Sequence, residues 1–472
     1  MATYYVNTGQ AGAADNTTDG RGSTSDKAWK TIAYAIANVD AGDEIEVATG
    51  TYAEGTNGLA PAACNYSASP VRIYSQSGVA ADVIVTNSTA DKGTSFTVVN
   101  AVVRGLTFED MTFQHNGTGA GYKYSILFYG APSAGTSHIT FNRCAIPIPA
   151  VALYKGVFMD TTVGTGGIDH LAFNNCTFAV GDAANSVIEL RYGAHSNITI
   201  SGCTMTSANA GSVSIYITGG VGVIPDGITI SGNTITAGYG PQLINCRSMT
   251  VSNNTITTPG AYSLLIGTDT DVPQATDYAA TVTGNTIVNS AVEGHSILLG
   301  RGTAGCTASN NNVSASGNAA YGIIDKGTGN TITGNTISVP LAYGCLYSKG
   351  SDGGTYTGNV LSTATGNLIA ASGEDNSAWR DNADVTISGT VGIVTGAGQV
   401  YTVATADAGD NYVTDGNVWL LTGTGADYGT ILAATNVASL TAARTAWGDT
   451  NDATSAPGLP LGKASSGVYA YA

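Results

Sequence analysis

The chain has 472 residues, with 17 Lys and Arg against 33 Asp and Glu and a formal net charge of −16. Binding nucleic acid through its phosphates needs a basic footprint, so this balance disfavours nucleic acid as a partner. No run reaches the apolar length of a membrane span, and periodic aliphatic residues within a 43% hydrophobic composition argue against disorder, although only 11% of residues are charged.

The opening, MATYYVNTG, shows neither a basic leader nor an apolar one, so no secretory signal is visible. Residues 1–52 are expected to form an N-terminal cap. Tyr4, Tyr5 and Val6 predict a first strand, and a polar loop follows. Asp15, Asn16 and Asp19 in that loop are a weak calcium candidate, with an Asx turn as the favoured alternative; no other metal and no cofactor is called for. An amphipathic helix is expected from Ser25 or Asp26, with Trp29, Ile32, Ile36 and Val39 on one face. Such a helix would cover an open sheet end, which otherwise offers unpaired strand edges. Ile45 and Val47 then begin the first coil.

Residues 53–395 carry an eight-residue phrase that keeps returning. It reads ITISGCTM at Ile198, ITISGNTI at Ile228, MTVSNNTI at Met249, ATVTGNTI at Ala280 and NTITGNTI at Asn330, with degenerate copies on both sides. Its sixth position forms a column: Met111, Cys144, Cys176, Cys203, Asn233, Asn254, Asn285, Asn311, Asn335, Asn359 and Thr390. The spacing runs from 21 residues (233 to 254) to 33 (111 to 144), which is the period of a solenoid. Alternation such as Ile198, Ile200 against Thr199, Ser201 is strand-like, with the aliphatics inward. The Gly or Asn that follows permits a tight bend at positive φ. Stacked at ~4.8 Å per coil, the sixth side chains should form an asparagine ladder inside the turn. The fold expected is all-β: a right-handed parallel β-helix of about a dozen coils, capped at both ends.

The stretch YYVNTG…DNTTDGRGSTSDKAWKTIAYAIANVDAGDEIEVATGTY resembles the N-terminal cap of pectin-lyase-like right-handed parallel β-helix proteins. The resemblance covers about the first fifty residues closely and the repeat region as a general pattern. It implies the fold. That family includes polysaccharide lyases, hydrolases, epimerases, phage tailspikes and non-enzymatic binders, so function has to come from the site.

Each coil should contain a third short strand, read as SILFY, GVFMD, VIELR, SIYIT, QLINC, SLLIG, SILLG, GIIDK, CLYSK and NLIAA. Their third residues should point outward: Leu127, Phe158, Glu189, Tyr216, Ile244, Leu265, Leu298, Ile324, Tyr347 and Ile369. That column is unexpectedly apolar, so it should be covered by long loops or packed between subunits, for example in a homotrimer.

Beyond 395 the phrase stops; residues 396–472 are expected to add strands without the Asn turn, then a short helix near Leu440, Ala443 and Trp447 as a C-terminal cap. The seven cysteines leave at least one thiol unpaired in a monomer. Cys144, Cys176 and Cys203 on successive rungs read as small buried hydrophobes, with vertical disulfides left open.

In proteins of the resembled family, the third strand and its neighbouring loops commonly form a glycan groove. Here that strip carries Asp160, Glu189, Arg191, Tyr216, Arg247, Arg301, Lys326, Tyr347 and Lys349. Arg301, Lys326 and Lys349 could form a basic row, and a uronate lyase needs both a base and a cation. Asp160 with Glu189 is the nearest carboxylate pair for a hydrolase. Tyr216, Tyr347, Arg191 and Arg247 are the carbohydrate-binding candidates, since aromatics offer sugar-contacting surface at low entropy cost. Neither an alginate-lyase Arg/Lys signature nor a polygalacturonase Asp triplet is present. Two functions remain in view: a glycan-recognising surface protein, such as a phage tail or tailspike component, located outside the cell or on a virion; and a polysaccharide lyase, or less favourably a hydrolase, acting on an acidic polysaccharide.

Overall fold

Every repeat phrase folds as two short strands joined by a sharp turn, each paired in parallel with its counterpart in the next coil, and a third strand completes the coil. The computed structural model describes residues 1–56, 58–87, 94–99, 101–115, 123–129, 136–148, 154–160, 167–180, 186–207, 209–220, 222–268, 278–318, 320–372, 385–397, 399–403, 412–415, 417–421, 427–431 and 468–469. It divides into two compact units, Met1–Gly238 and Tyr239–Ala472.

In the first unit, the first strands of the coils pair in parallel from Thr3–Val6 and Glu44–Val47 through to Ser196–Ser201 and Asp226–Ser231. The register keeps like over like: Ile198 lies over Ile228 and Ile200 over Ile230. The interior is aromatic, with Phe108, Phe141 and Phe173 stacked rung on rung at 5.3 and 5.1 Å. In the second unit the first strands run from Arg247–Ser252 to Tyr412–Asp415, again all parallel, around an aliphatic interior that includes Val251, Val282 and Ile332.

The turn explains the phrase. Its fifth residue is left-handed in the copies of the phrase, at φ 62° for Gly202, 65° for Gly232, 55° for Asn253, 66° for Gly284 and 64° for Gly334. Glycine and asparagine are the residues that adopt this conformation most readily. The sixth residue then points inward. In the second unit it builds a continuous ladder: Asn254 donates its side-chain amide to Asn285 at 2.9 Å, Asn285 to Asn311 at 2.9 Å, Asn311 to Asn335 at 2.9 Å and Asn335 to Asn359 at 3.0 Å. Each Oδ1 also accepts the backbone N–H of the preceding rung's Asn, and each Nδ2 donates to a buried carbonyl, so the turn's orphan polar groups are satisfied. In the first unit, Asn233 binds Cys203 N and Ile200 O at 2.8 and 2.9 Å. Below it, Cys144, Cys176 and Cys203 are buried, and each Sγ–H points to a backbone carbonyl. All seven cysteines are free thiols.

Two expectations need correction. The helix is shorter than its apolar stripe implied, spanning Ile32–Ala37 with Thr31 as the cap, while Ser25–Lys27 forms a 3₁₀ turn. The reason is that Trp29 is drawn into a bridge with Val6, and the helix entry is held by carboxylates instead. Asp15 accepts from Lys30 N and Thr31 N at 3.0 Å, and Glu54 from Ile32 N and Ala33 N at 2.6 and 3.1 Å. Asn16 meanwhile makes the Asx turn, accepting from Thr18 N at 3.1 Å; the side chain of Asp19 lies outside the described residues. The second correction is that the Asn turn recurs past 395. Asn417 accepts from Thr390 N at 2.9 Å and donates to Ile387 O at 3.0 Å, so the column extends one rung beyond Thr390. The helix expected near 440–447 lies outside the described residues. Among the described residues, no helix is long and apolar enough to cross a membrane.

Candidate functional site

In the first unit the third strands are Phe96–Val99, Lys123–Tyr129, Tyr154–Asp160, Ser186–Arg191 and Val213–Thr218. Their register brings Leu127, Phe158, Glu189 and Tyr216 into one outward column, as the strand pattern predicted. A bend adds a second column. Two consecutive residues turn inward at each entry, for example Ser125 with Ile126 and Gly156 with Val157. A Cβ at Gly156 would meet Val187 O at 2.6 Å, so this rung accepts little more than a hydrogen there. The bend returns Tyr124, Lys155, Ser186 and Val213 to the outer face, beside the first column.

Together the two columns line a cleft of about 840 Å³ walled by Tyr124, Tyr129, Phe158 and Tyr216. Its floor is a charged triad. Lys155 Nζ lies 2.6 Å from Glu189 Oε1, with the side chains 7% and 1% exposed, and Arg191 Nε pairs with the same oxygen from the rim. Aromatic faces support both cations: Lys155 Nζ sits 4.2 Å from the Phe158 ring centre, and Arg191 Cζ 5.6 Å from that of Tyr216. Tyr124 stacks on Phe158 at 4.6 Å and 9°. Burial raises the Tyr216 phenol above its ordinary pKa, with Arg191 opposing. Two cations and one carboxylate leave the triad with an excess positive charge on a strongly acidic chain.

Of the site residues expected from sequence, Glu189, Arg191 and Tyr216 meet here. Lys155, Tyr124 and Phe158 complete the cleft, and sequence reading did not single them out as site residues. The usable signal was the small residue before three of the four inward aliphatics (Ser125, Gly156 and Ser214, with Val187 at the fourth), which marks the bend and hence the extra outward position. Asp160 pairs through its backbone with Tyr129 and Arg191, but its side chain lies outside the described residues, so its pairing with Glu189 does too.

Three further residues depart from expectation. Arg247 is not on a third strand: Gln242–Ile244 is short, Asn245 turns at φ 56°, and Arg247 begins a first strand with its side chain exposed. Arg301 is 8% exposed, bridged to Thr268, and out of register with the lysines, because Leu299 pairs with Asp325 and puts Gly300 level with Lys326. The basic row therefore shortens to Lys326 and Lys349, which follow the paired Asp325 and Ser348. In the same sheet Ile369 pairs with Leu346, and the outward column passes to Ala370 because the register shifts between Ala342 and Leu346.

In the second unit the outward positions Leu265, Leu298 and Ile324 are buried within the single chain, against Tyr262, Tyr321 and Tyr347. His295 starts a strand with its ring edge-on to Tyr262 and Tyr321. Inward Asn245 accepts from Tyr278 Oη at 2.9 Å. Asp325 is fully enclosed and accepts from Asn330 Nδ2, Gly327 N, Ser351 Oγ and Tyr356 Oη at 2.7 to 3.0 Å; burial still raises its pKa.

A model of the right-handed β-helix region matches residues 155–337 and 219–385. No curated protein matches the chain. Among solved structures, tailspike protein 3 of bacteriophage CBA120 is 15% identical over 91% of this chain and 59% of its own, with a TM-score of 0.43. A mannuronic acid specific family 6 polysaccharide lyase from human gut microbiota is 14% identical over 71% and 82%, at 0.47. A lacto-N-biosidase from Eubacterium ramulus is 13% identical over 89% and 68%, at 0.40. The chain thus spans about three fifths of that tailspike's length. Likenesses this distant carry no argument about function.

Proposed function

We propose that the cleft of the first unit of this right-handed parallel β-helix is a glycan-binding site. On this reading the protein is a glycan-recognising surface protein of the phage tail or tailspike type, acting outside the cell or on a virion. The observation that carries the proposal is the aromatic-walled cleft over the Lys155–Glu189–Arg191 triad. Tyrosine rings supply apolar area with a polar tip, and the triad supplies fixed charged donors for sugar oxygens.

Binding is favoured over lyase chemistry because the charged groups described in the cleft are paired with one another. Lys155 is engaged by Glu189 at 2.6 Å, and burial raises the Tyr216 phenol above its ordinary pKa. Among the described residues, Glu189 faces two cations and no second carboxylate, whereas a hydrolase needs a carboxyl pair. Titration against a polysaccharide panel should give saturable binding that Arg191→Gln weakens, with neither unsaturated uronates nor new reducing ends. Turnover of any panel member would overturn the binding reading in favour of an enzyme. A monomer by light scattering would count against assembly as a virion trimer.

A further inference from the structure

The first strands of the first unit carry a group that the cleft does not use. Where these strands are entered, one residue is left-handed, and the column reads Gly105, His138, His170, Asn197 and Gly227, at φ 76°, 57°, 54°, 53° and 69°. Asparagine and histidine tolerate this conformation better than most side chains, so the turn permits two histidines without requiring them. Strands Ser137–Asn142 and Asp169–Asn174 pair Ser137 with Asp169 and Ile139 with Leu171, which sets His138 and His170 level on adjacent coils. Their rings stack with centres 4.4 Å apart and planes 8° apart.

The surroundings of each ring sort its two nitrogens. His170 Nδ1 lies 2.7 Å from Asp169 Oδ2. The carboxylate is fixed in turn, since its Oδ1 accepts from Ser196 Oγ at 2.6 Å and from Asn197 Nδ2 at 2.8 Å. With its proton on Nδ1, His170 presents Nε2 as a lone-pair donor on a side chain 49% exposed. A histidine that ligates a metal characteristically gives its other N–H to a carboxylate, which fixes tautomer and orientation. In His138, Nδ1 is buried and has no hydrogen-bond partner among the described residues, so Nε2 is the nitrogen left for an outside contact.

We infer that His138 and His170 together bind a divalent transition-metal ion of the nickel, copper or zinc kind through their Nε2 atoms. Imidazole suits these ions, whereas calcium and magnesium prefer oxygen. Two nitrogens held by one such ion at ~2.0–2.1 Å are at most about 4 Å apart, so a slight closing of the stacked rings brings both to it. Among the described residues no third histidine, cysteine or carboxylate groups with the pair, and water or an external donor fills the remaining positions. The net charge of −16 favours the approach of a cation. The site shares no residue with the cleft and stands or falls apart from glycan binding.

The test is calorimetric titration of the full chain with zinc(II) and copper(II), with calcium(II) as the control, joined to electron paramagnetic resonance of the copper form. The copper signal should show coupling to two imidazole nitrogens. His138→Asn and His170→Asn should each abolish that two-nitrogen signal. Asparagine is the replacement because Asn197 holds the same left-handed position one coil further on, so the thermal midpoint should stay in place. Asp169→Asn keeps both rings and both couplings, but it should lower affinity by about 10–100-fold through the lost outer partner. Two-nitrogen binding that survives either histidine variant marks an adventitious ion and overturns the inference. Equal affinity for calcium(II), coupling to one nitrogen only, or an unchanged Asp169→Asn would overturn it as well.

Discussion

The third-strand faces of the two units are built on the same coil yet solve opposite problems. In the first unit, Lys155, Glu189 and Arg191 put charge on the floor of a cleft and aromatics on its walls. In the second, Leu265, Leu298 and Ile324 make an apolar floor, tyrosines cover it, and the charges are set at the strand ends. The backbone permits both because an outward strand position is indifferent to side-chain chemistry, whereas an inward one must fill a packed interior. What differs is the cost of change. A buried charged floor fails when one partner is lost, while an apolar floor fails in proportion to the volume removed.

The largest effect should come from Glu189→Ala, which leaves Lys155 buried without its counterion. A loss of about 3–5 kcal/mol in denaturant unfolding is expected. Replacing Lys155 and Glu189 together by Met and Leu should recover most of it, and failure to recover would mean the pair is not the source. In the second unit, Ile324→Ala should cost about 2–5 kcal/mol through cavity formation, with no such rescue by a partner.

Acidity should separate the units by sign. Burial lowers the His195 pKa from 6.5 to about 4 in the first unit. The unfolded chain then binds the proton first, so stability present above pH 6.5 is lost as pH falls toward 4. The full swing is about 3 kcal/mol, and His195→Leu should flatten it. In the second unit, burial raises the Asp325 carboxyl, so its contribution is present below the ordinary carboxylate range and is lost as pH rises through the folded value. Asp325→Asn should remove that opposite slope. Thermal midpoints across pH for both variants check the two signs, and parallel slopes would break the comparison.

A smaller difference is expected within the turn column. Asn285→Ala strands Asn254 N, Val251 O and its ladder neighbours, costing about 1–3 kcal/mol. Cys176→Ala should cost less, because its Sγ–H makes only a weak bond to Phe141 O at 3.2 Å. Equal losses in a denaturation series would contradict this. The smallest effect belongs to Arg247→Gln, exposed at the start of a first strand of the second unit, which should change stability by no more than about 0.5 kcal/mol and leave glycan titrations unmoved.

Much of this could be read in the residues. Period, alternation and the Gly/Asn fifth position predicted coils, inward aliphatics and left-handed turns, because each depends on local sterics and on one repeating backbone shape. The placement of Glu189 and Tyr216 in one column followed from the same periodicity. The helix start did not, since Trp29 answers to Val6 and the helix N-terminus to Asp15 and Glu54, partners far along the chain.

By itself, then, the sequence determined the coil, its turn and the inward column, for each is repeated locally and enforced by backbone conformation and stacking. Only the tertiary structure decided which outward residues share a site. Lys155 reaches Glu189 because a bend after it restores an outward position. Arg301 misses Lys326 because the register pairs Leu299 with Asp325. A single residue of bend or register moves a side chain between faces or rungs, and both are set by packing across coils rather than by the strand that carries the side chain.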